Sequence, residues 1–578
     1  MTRRFECTDA KPNKFWEITV TEKLVTVRYG RIGTTGRTQT KNHDWAALAK
    51  WFADKQVAEK VMQGYHEVSR GAAPVDRKQL AEIRKLLGQA DAAAVWQGID
   101  LLRALDDPAL WATLAEGASV DAEGEVHTPS GSEIHKRVRA GLRASVAVWV
   151  LSGSGRLAYT RRLLLPGYAF ADYTFTKALP RLKVLDLNSS PLITDLAGLQ
   201  GLAALTYLDL SSCHSLADLT GLQNLPALTS LWLSYCESLT DPTWLRDLPA
   251  LTSLDLSGTS FTSLTWLREL PALTSLDLSG CKSLHDLAGL SDLPVLTNLC
   301  LKGCDSLTDL TGLRDLPALP SLDLSGCHSL ADLTGLRHLP ALTSLDLSGC
   351  HSLADLTGLG DLPALTSLNL SGCESLTDLT ELRDLPALTS LNLSGCESLT
   401  DLTELRDLPA LTSLILSGCD SLTAEIGLRD LPALKSLHLS QCKSLTNLTG
   451  LGDLPVLKSL YLDSCNSLTD LTGLEHLPAV TSLHLNFCHS LVDLTGLSGL
   501  PVLSRLNLSC CTSLTDLTGL CDLPKLTRLD LSYSKSLTTL TGLRNLPKLT
   551  RLDLSYCKSL KDLTGLRNLP ARCEIFGR

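Results

Sequence analysis

LPALTSLDLSGCHSLADLTGLGD, Leu339 to Asp361, is one clean copy of a unit of about 23 residues that recurs 17 times between Leu182 and Leu569. A fixed period of this length is the signature of a solenoid, in which one supersecondary unit is stacked on the next. The apolar residues of the copy fall at Leu342, Leu345, Leu347, Cys350 and Leu353. Leu345 and Leu347 alternate with Ser344, Asp346 and Ser348, so a short strand sends its leucines inward and its polar residues outward. One unit cannot bury that leucine face by itself; stability has to come from stacking on neighbours. The second half of the unit, Asp355 to Leu359 and on through Leu362 and Pro363, spaces its leucines three apart with a Gly and a Pro in each turn. Turns or 3₁₀ segments suit that spacing better than full α-helices.

The spacing LxxLxLxxCxxL resembles the leucine-rich repeat family. The resemblance implies a parallel β-sheet on the concave side of an α/β solenoid, with short turns or 3₁₀ segments on the convex side. One unit, between Thr259 and Cys281, is a residue shorter than the rest, and a local irregularity of curvature is expected there. Fourteen of the 19 cysteines (Cys213, Cys236, Cys281, Cys304, Cys327, Cys350, Cys373, Cys396, Cys419, Cys442, Cys465, Cys488, Cys511 and Cys557) share one slot of the unit, and Ser190, Thr259 and Ser534 fill it elsewhere. In the family this slot holds a small polar residue that turns inward and bonds the backbone of the next coil. The expectation is therefore a column of buried, reduced thiols rather than disulfides. No CxxC pair or histidine partner recurs at zinc spacing, so neither a metal nor another cofactor is expected.

The chain carries 52 Lys or Arg against 62 Asp or Glu, a formal net charge of −10. Residues 1–66 run the other way, with 12 basic against 7 acidic residues, which leaves about −15 for the remainder. A basic head on an acidic body argues against wholesale coating of nucleic acid. The amino terminus is charged and polar, and no apolar run approaches the roughly 20 residues that span a membrane. With so many free thiols, a cytoplasmic location is expected.

Within the head, Phe15–Val20 and Leu24–Tyr29 alternate as strands, Gly33–Gly36 reads as a turn, and Asp44–Gln63 reads as a helix with Trp45, Leu48, Trp51 and Phe52 on its apolar side. The words NKFWEI (Asn13 to Ile18), VRYGRIGTTGRTQTK (Val27 to Lys41) and EKVMQGY (Glu59 to Tyr65) resemble the WGR domain. Tyr29 stands where the signature has tryptophan. In poly(ADP-ribose) polymerases such a domain contacts DNA near a break and relays the contact to a catalytic domain; in bacteria it also accompanies repeat arrays. The resemblance makes DNA a candidate partner, through Arg28, Tyr29, Arg31, Arg37 and Lys41, with basic groups on phosphates and the ring on a sugar or base. The alternative reading is that Tyr29 and Arg31 stitch a small sheet together while the other charges are solvated.

Five segments follow: a WGR-like domain over 1–70, a helical connector over 71–155, a solenoid cap over 156–180, the repeats over 181–568, and a thin terminal cap over 569–578. In the connector, Arg77–Leu87, Ala92–Leu105 and Ser132–Leu151 have helical spacing, Asp106-Asp107-Pro108 starts a shorter helix, and Gly117–Gly131 forms a polar loop. His127 and His135 fall in or near that loop without a nucleophile or carboxylate at a telling spacing in the sequence, and no catalytic site is expected.

The residue between the two strand leucines runs, from first repeat to last, Asp186, Asp209, Trp232, Asp255, Asp277, Cys300, Asp323, Asp346, Asn369, Asn392, Ile415, His438, Tyr461, His484, Asn507, Asp530 and Asp553. Asp or Asn is the background. Ile415, His438, Tyr461 and His484 break it in one run, and Asp463, Asn486, Phe487 and Arg505 depart from the repeat nearby. Aromatic and charged anchors grouped in this way are what protein interfaces use, and a smaller patch surrounds Trp232 and Tyr235. By contrast, Leu368–Ser390 and Leu391–Ser413 are the same 23 residues, which points to recent duplication and to coils that act as spacer. The expected function is a non-enzymatic recognition or scaffold protein. Its concave sheet, on the order of 80 Å long at about 4.8 Å per strand, would hold a protein partner, and its head would make a second contact. A DNA sensor or adaptor acting through the head is the alternative.

Overall fold

The computed structural model describes residues 2–7, 14–32, 34–44, 46–63, 65–67, 77–89, 92–105, 107–128, 130, 132–138, 143–167, 173–240, 243–314, 316–337, 339–423, 427–452, 454–521 and 523–577. Of the sequence expectations, Gly33, Trp45, Asp106, Gly131 and the start of the connector at 71–76 lie outside these residues. The chain divides into two compact units, Met1–Thr259 and Ser260–Arg578, and the division falls where the short repeat begins.

The first unit opens with an antiparallel sheet of five strands in the order β4-β3-β2-β1-β5, made of β1 (Thr2–Cys7), β2 (Lys14–Thr21), β3 (Leu24–Arg31), β4 (Arg37–Asn42) and β5 (His66–Glu67). The polar amino terminus is thus a strand: Phe5 and Cys7 point inward from it and Arg4 and Glu6 outward. One face of the sheet packs Phe5, Trp16, Ile18 and Val25 against Ala49, Ala53 and Val57 of α1 (Ala46–Met62). The small residues at i, i+4 and i+8 let the helix lie close to the sheet. That docking turns Trp51 away from the core. It is 60% exposed, with Lys55 Nζ 5.6 Å from its ring, contrary to the apolar role expected of it. On the other face Phe15 is buried beneath Arg4 and Arg28. A Cβ on Gly36 would stand 2.6 Å from the Phe15 ring and one on Gly30 2.8 Å from the Gly36 Cα. Gly30 and Gly36 thus leave the space the ring occupies.

The connector begins with α2 (Arg77–Leu87) and α3 (Ala92–Leu105), followed by α4 (Pro108–Leu114), whose cap Asp107 accepts from the Ala109 amide at 2.8 Å. The single helix expected over Ser132–Leu151 is instead two, α5 (Glu133–Arg137) and α6 (Arg143–Gly153). Residues 144–152 of α6 are buried all round, which marks it as the centre of the module. The polar loop between α4 and α5 contains a two-stranded hairpin, β6 (Ser119–Val120) and β7 (Val126–His127), where His127 meets Asp121 at 2.6 Å. Trp149 of α6 meets Phe175 edge-on at 5.5 Å, tying the connector to the start of the array. Tyr159 ties in the head: Arg3 donates to its hydroxyl at 2.6 Å, and the guanidinium of Arg181 lies 4.8 Å from its ring. Arg181 also reaches Asp54 of α1 at 3.6 Å.

Each of the 17 repeats supplies one three-residue strand, from Val184–Asp186 to Arg551–Asp553. Arg162–Leu164 precedes them and Glu574–Phe576 follows, making nineteen parallel strands, five in the first unit and fourteen in the second. Within each unit the strands pair in chain order, leucine opposite leucine, as in Leu345 with Leu368 and Leu391 with Leu414. Six leucines of the quoted copy (Leu342, Leu345, Leu347, Leu353, Leu356 and Leu359) are at most 1% exposed, and each contributes about 1.5–3 kcal/mol by burial. The other half of most repeats is a 3₁₀ segment, for example Thr380–Asp384 and Thr403–Asp407.

Candidate interaction surfaces

The Asp/Asn background on the outward side of the strands is structural. Asp346 accepts from the Ser348 amide at 2.8 Å, Asn369 from Ser371 at 3.1 Å and Asp530 from Ser532 at 2.9 Å. The same bond recurs at Asp186, Asp209, Asp255, Asp277, Asp323, Asn392, Asn507 and Asp553. Each caps the backbone just before it turns into the left-handed region three residues after the cap. Trp232, Cys300, Ile415, His438, Tyr461 and His484 have no carboxylate or amide oxygen to offer there. Asp209, expected to be exposed, is 7% exposed.

At the departures, the side chains of one strand lie directly beside those of the next. His438, Tyr461 and His484 form one in-register stack, with ring centroids 4.1 and 4.6 Å apart and planes 13° and 19° from parallel. Each imidazole has Nε2 3.1 Å from a serine hydroxyl of its own strand, Ser436 or Ser482. Burial, with His484 close by, holds the His438 imidazole below its ordinary pKa. Ile415, on the preceding strand, is half-buried. Asp463 replaces the missing cap from the neighbouring coil: its Oδ1 accepts from the Asn486 amide at 2.9 Å and from Asn486 Nδ2 at 2.7 Å. Asp463 and Asn486 are therefore framework of the patch, whereas Phe487 is 48% exposed at its edge and Arg505 is exposed on the strand that follows.

The residue before the cysteine slot has positive φ in every repeat, near 56–75°. Glycine fills it from Gly258 to Gly418 without exception, whereas Gln441, Ser464, Phe487, Cys510, Tyr533 and Tyr556 fill it in six successive later coils. Side chains there cost on the order of 1 kcal/mol each in backbone strain. Tyr533 and Tyr556 stack on each other at 4.5 Å, with 43% and 60% of their surfaces exposed. Sequence reasoning passed over both, although reading this column down the repeats would have found them beside Tyr235 and Phe487. In the first unit Tyr235 takes the same strained conformation, 56% exposed, with its ring over Gly258. Trp232 is 40% exposed, with Tyr207 5.9 Å away.

The cysteine column points inward. In thirteen coils Sγ donates to a carbonyl 26 residues earlier, at 3.0–3.4 Å, for example Cys350 to Leu324 and Cys488 to Leu462. The bond runs to the preceding coil, not the next one as the resemblance implied. Ser534 keeps it (Leu508, 3.3 Å), while Thr259 bonds Leu256 within its own coil at 2.6 Å. Burial pushes Cys213 and Cys442 up to about 11, and Cys236, Cys327, Cys373, Cys419 and Cys488 up to about 12. Among the described residues, no group of three His, Cys, Asp or Glu side chains is placed to hold a metal. No described helix is long and apolar enough to cross a membrane.

The five head residues do not share one surface. Tyr29 pairs with Arg37, and Val25 with Lys41, so Tyr29, Arg37 and Lys41 lie on the α1 face of the sheet, with Arg31 in the same alternation. Tyr29 and Lys41 line a pocket of about 610 Å³ with Trp16, Phe52, Lys60 and Tyr65. Arg28 is on the opposite face. There it pairs with the buried carboxylate of Glu17 at 2.7 Å, and Arg4 holds the other oxygen of that carboxylate at 2.9 Å.

Fold and surface together define a class of protein: a leucine-lined parallel solenoid that carries a small antiparallel sheet and helix at its amino end. An N-terminal WGR domain and leucine-rich repeats occur in this one chain. Residues 1–72 match the WGR domain. Residues 177–281 match the endo-beta-N-acetylglucosaminidase EndoS LRR domain, and residues 340–384 and 363–407 match leucine rich repeats (2 copies). Among curated proteins, the uncharacterized protein YfeS of Escherichia coli is 39% identical over 67 residues, 12% of this chain, and the match spans 28% of that relative's length. Among solved structures, an internalin (inlF) from Listeria monocytogenes is similar with a TM-score of 0.39 and 22% identity, over 65% of this chain and 87% of that one.

Proposed function

We propose that the chain is a non-catalytic recognition or scaffold protein whose outward sheet face holds a protein partner and whose WGR domain supplies a second contact. A repeat array joined to a WGR domain fits an interaction role. The observation that carries the reading is the set of successive coils at His438, Tyr461 and His484. They give up the Asx cap of the background, and their neighbours from Gln441 to Tyr556 accept strained backbone to present side chains where glycine would serve. Local strain of this kind persists where the side chain serves a purpose beyond stability. Two linked contacts would raise affinity through effective concentration. Buried thiols used as hydrogen-bond donors suit a reducing, cytoplasmic compartment. The segments 1–70, 71–155, 156–180, 181–568 and 569–578 are the corresponding working parts.

The test is affinity capture with the full chain, followed by titration with the purified partner. Tyr461→Asn and His484→Asn should each weaken binding by roughly tenfold or more. Asp346→Asn, which keeps the backbone cap, should leave it unchanged. Equal affinity for all four proteins would refute the reading.

The placement of Tyr29 and Lys41 in one pocket, with Arg37 on the same face, favours a second reading in which the head binds DNA. Fluorescence anisotropy with duplex and single-stranded DNA tests it. Binding that persists at physiological salt and falls in Arg31→Ala supports that reading, and none at low salt removes it.

A further inference from the structure

The first residue of each strand forms a second outward column. It is Ser in every repeat from Ser230 to Ser482 except at Asn298, and then Arg505, Arg528 and Arg551 in three consecutive coils. The register sets Arg505 beside Arg528 and Arg528 beside Arg551, about 4.8 Å apart at the backbone. Like charges directly opposite one another in a sheet repel. Among the described residues none of the three makes an ion pair with a carboxylate; all are exposed, and Arg551 has the ring of Phe576 4.4 Å from its guanidinium, with Glu574 next in the same column, in register beside it. Asp530 and Asp553, one column over, are engaged with the backbone amides of Ser532 and Ser555 at 2.9 and 3.0 Å. The surroundings are basic as well: residues 501–578 hold 12 Lys or Arg against 6 Asp or Glu in a chain that is acidic as a whole. The three arginines line one groove of about 740 Å³ with Tyr461 and His484.

Glu574 can offset Arg551 at the end of the row, whereas Arg505 and Arg528 have no carboxylate beside them in the column, and an anion from outside the chain would satisfy them. Two features favour a peptide over a nucleic acid. Base stacking needs open ring faces, whereas Tyr461 has an imidazole on each face and His438 and His484 each have one face against it. A peptide backbone also brings N–H donors, which Asp530 and Asp553 can accept, alongside its carboxylates. In an extended segment, carboxylates two residues apart lie about 7 Å apart, between the one-coil and two-coil steps of the row and within reach of flexible arginines that grip carboxylates in bidentate fashion. We propose that Arg505, Arg528 and Arg551 form a guanidinium ladder that binds an acidic peptide segment carrying at least two carboxylates. The proposal rests on the reading of the outward face as a protein-binding surface and names the chemistry of the partner.

The experiment uses the full chain and three fluorescein-labelled probes: a short peptide alternating Glu and Ser, its Gln counterpart, and an oligothymidylate of the same length. Each is titrated by anisotropy at near-physiological salt. Arg528→Ser and the triple change of Arg505, Arg528 and Arg551 to Ser restore the residue that most strands already carry, and circular dichroism checks that the fold is kept. The Glu peptide should bind, the Gln peptide should not, and the triple variant should lose roughly tenfold or more in affinity, with Arg528→Ser in between. Absence of binding by the Glu peptide, indifference to the triple change, or a tighter oligothymidylate complex lost in the triple variant would each overturn the ladder. Once a natural partner is in hand, the two readings separate. A partner lost by Tyr461→Asn but retained by the triple variant overturns the ladder alone, whereas one lost by both supports it.

Discussion

The coils around Leu368–Ser413 and those from Lys435 to Tyr556 share one interior and differ outside. Apart from Val480 and Ser534, both stack the same leucines and the same cysteine column, with Cys373 bonded to Leu347 and Cys488 to Leu462 at 3.3 and 3.1 Å. The first group repeats its 23 residues letter for letter and keeps glycine at the left-handed position, at Gly372, Gly395 and Gly418. The second group puts Gln441, Ser464, Phe487, Cys510, Tyr533 and Tyr556 there and, in its first three coils, exchanges the Asp/Asn cap for a ring stack. In a repeat protein the interior is constrained by every neighbour while the exterior is constrained coil by coil. The outer columns are therefore where information about a partner can be written.

The sharpest check of the shared interior is thiol chemistry. Cys373 and Cys488 are both pushed up to about 12 by burial, so their thiolate fraction falls roughly a thousandfold below that of an ordinary cysteine. Pulsed alkylation read by mass spectrometry should label half-exposed Cys521 first and both ladder positions equally slowly until the chain is denatured. Unequal protection of the two would break the comparison. Next in size, Leu391→Ala and Leu460→Ala, each fully buried in its strand, should destabilise by about 2–5 kcal/mol alike, read from denaturant or hydrogen-exchange profiles.

The exterior is tested by exchange. Gly395→Tyr should destabilise by about 1 kcal/mol and Tyr533→Gly should stabilise by a similar amount. A Cβ at Gly395 would meet only the Gly372 Cα and N, each at 3.7 Å, ordinary contacts, so the cost is conformational rather than steric. A null result in both directions would remove strain as a marker of the second region. The smallest effect is that of pH. The His438 pKa is lowered in the folded chain, chiefly by burial. Above about pH 6.5 the imidazole is neutral whether folded or unfolded. As pH falls below that value the unfolded chain takes up the proton first, so stability is lost toward the folded pKa. Thermal melts should show a small drop in Tm on acidification that His438→Gln reduces.

Much of this was legible in the sequence. Leu345, Leu347 and Cys350 recur at fixed spacing because each must fit against a copy of itself, and α2 and α3 declare themselves by their apolar spacing. Other parts were not legible. β4 reads RTQTKN and is exposed along its whole length, so no alternation marks it as a strand. Trp51 looked like core because size suggests burial, whereas Ala49, Ala53 and Val57 fix which side of α1 meets the sheet. The separation of Arg28 from Tyr29 and Lys41 follows from strand alternation, but its ion-pair partner, Glu17, is known only once β2 and β3 are paired. Arg528 and Arg551 were visible as letters; their meaning lies in a column that only the register assembles.

The identity of Leu368–Ser390 and Leu391–Ser413 has a consequence for how the chain reaches this structure. A growing solenoid arriving at Leu347 finds two equivalent coils able to donate the next thiol and supply the next strand. Skipping one loops out 23 residues, and the entropy of closing such a loop rises only slowly with its length. The slipped array loses the packing of one coil yet contains no foreign contact at the join. It would be a misfold with native chemistry at every contact of the join, wrong only in its count.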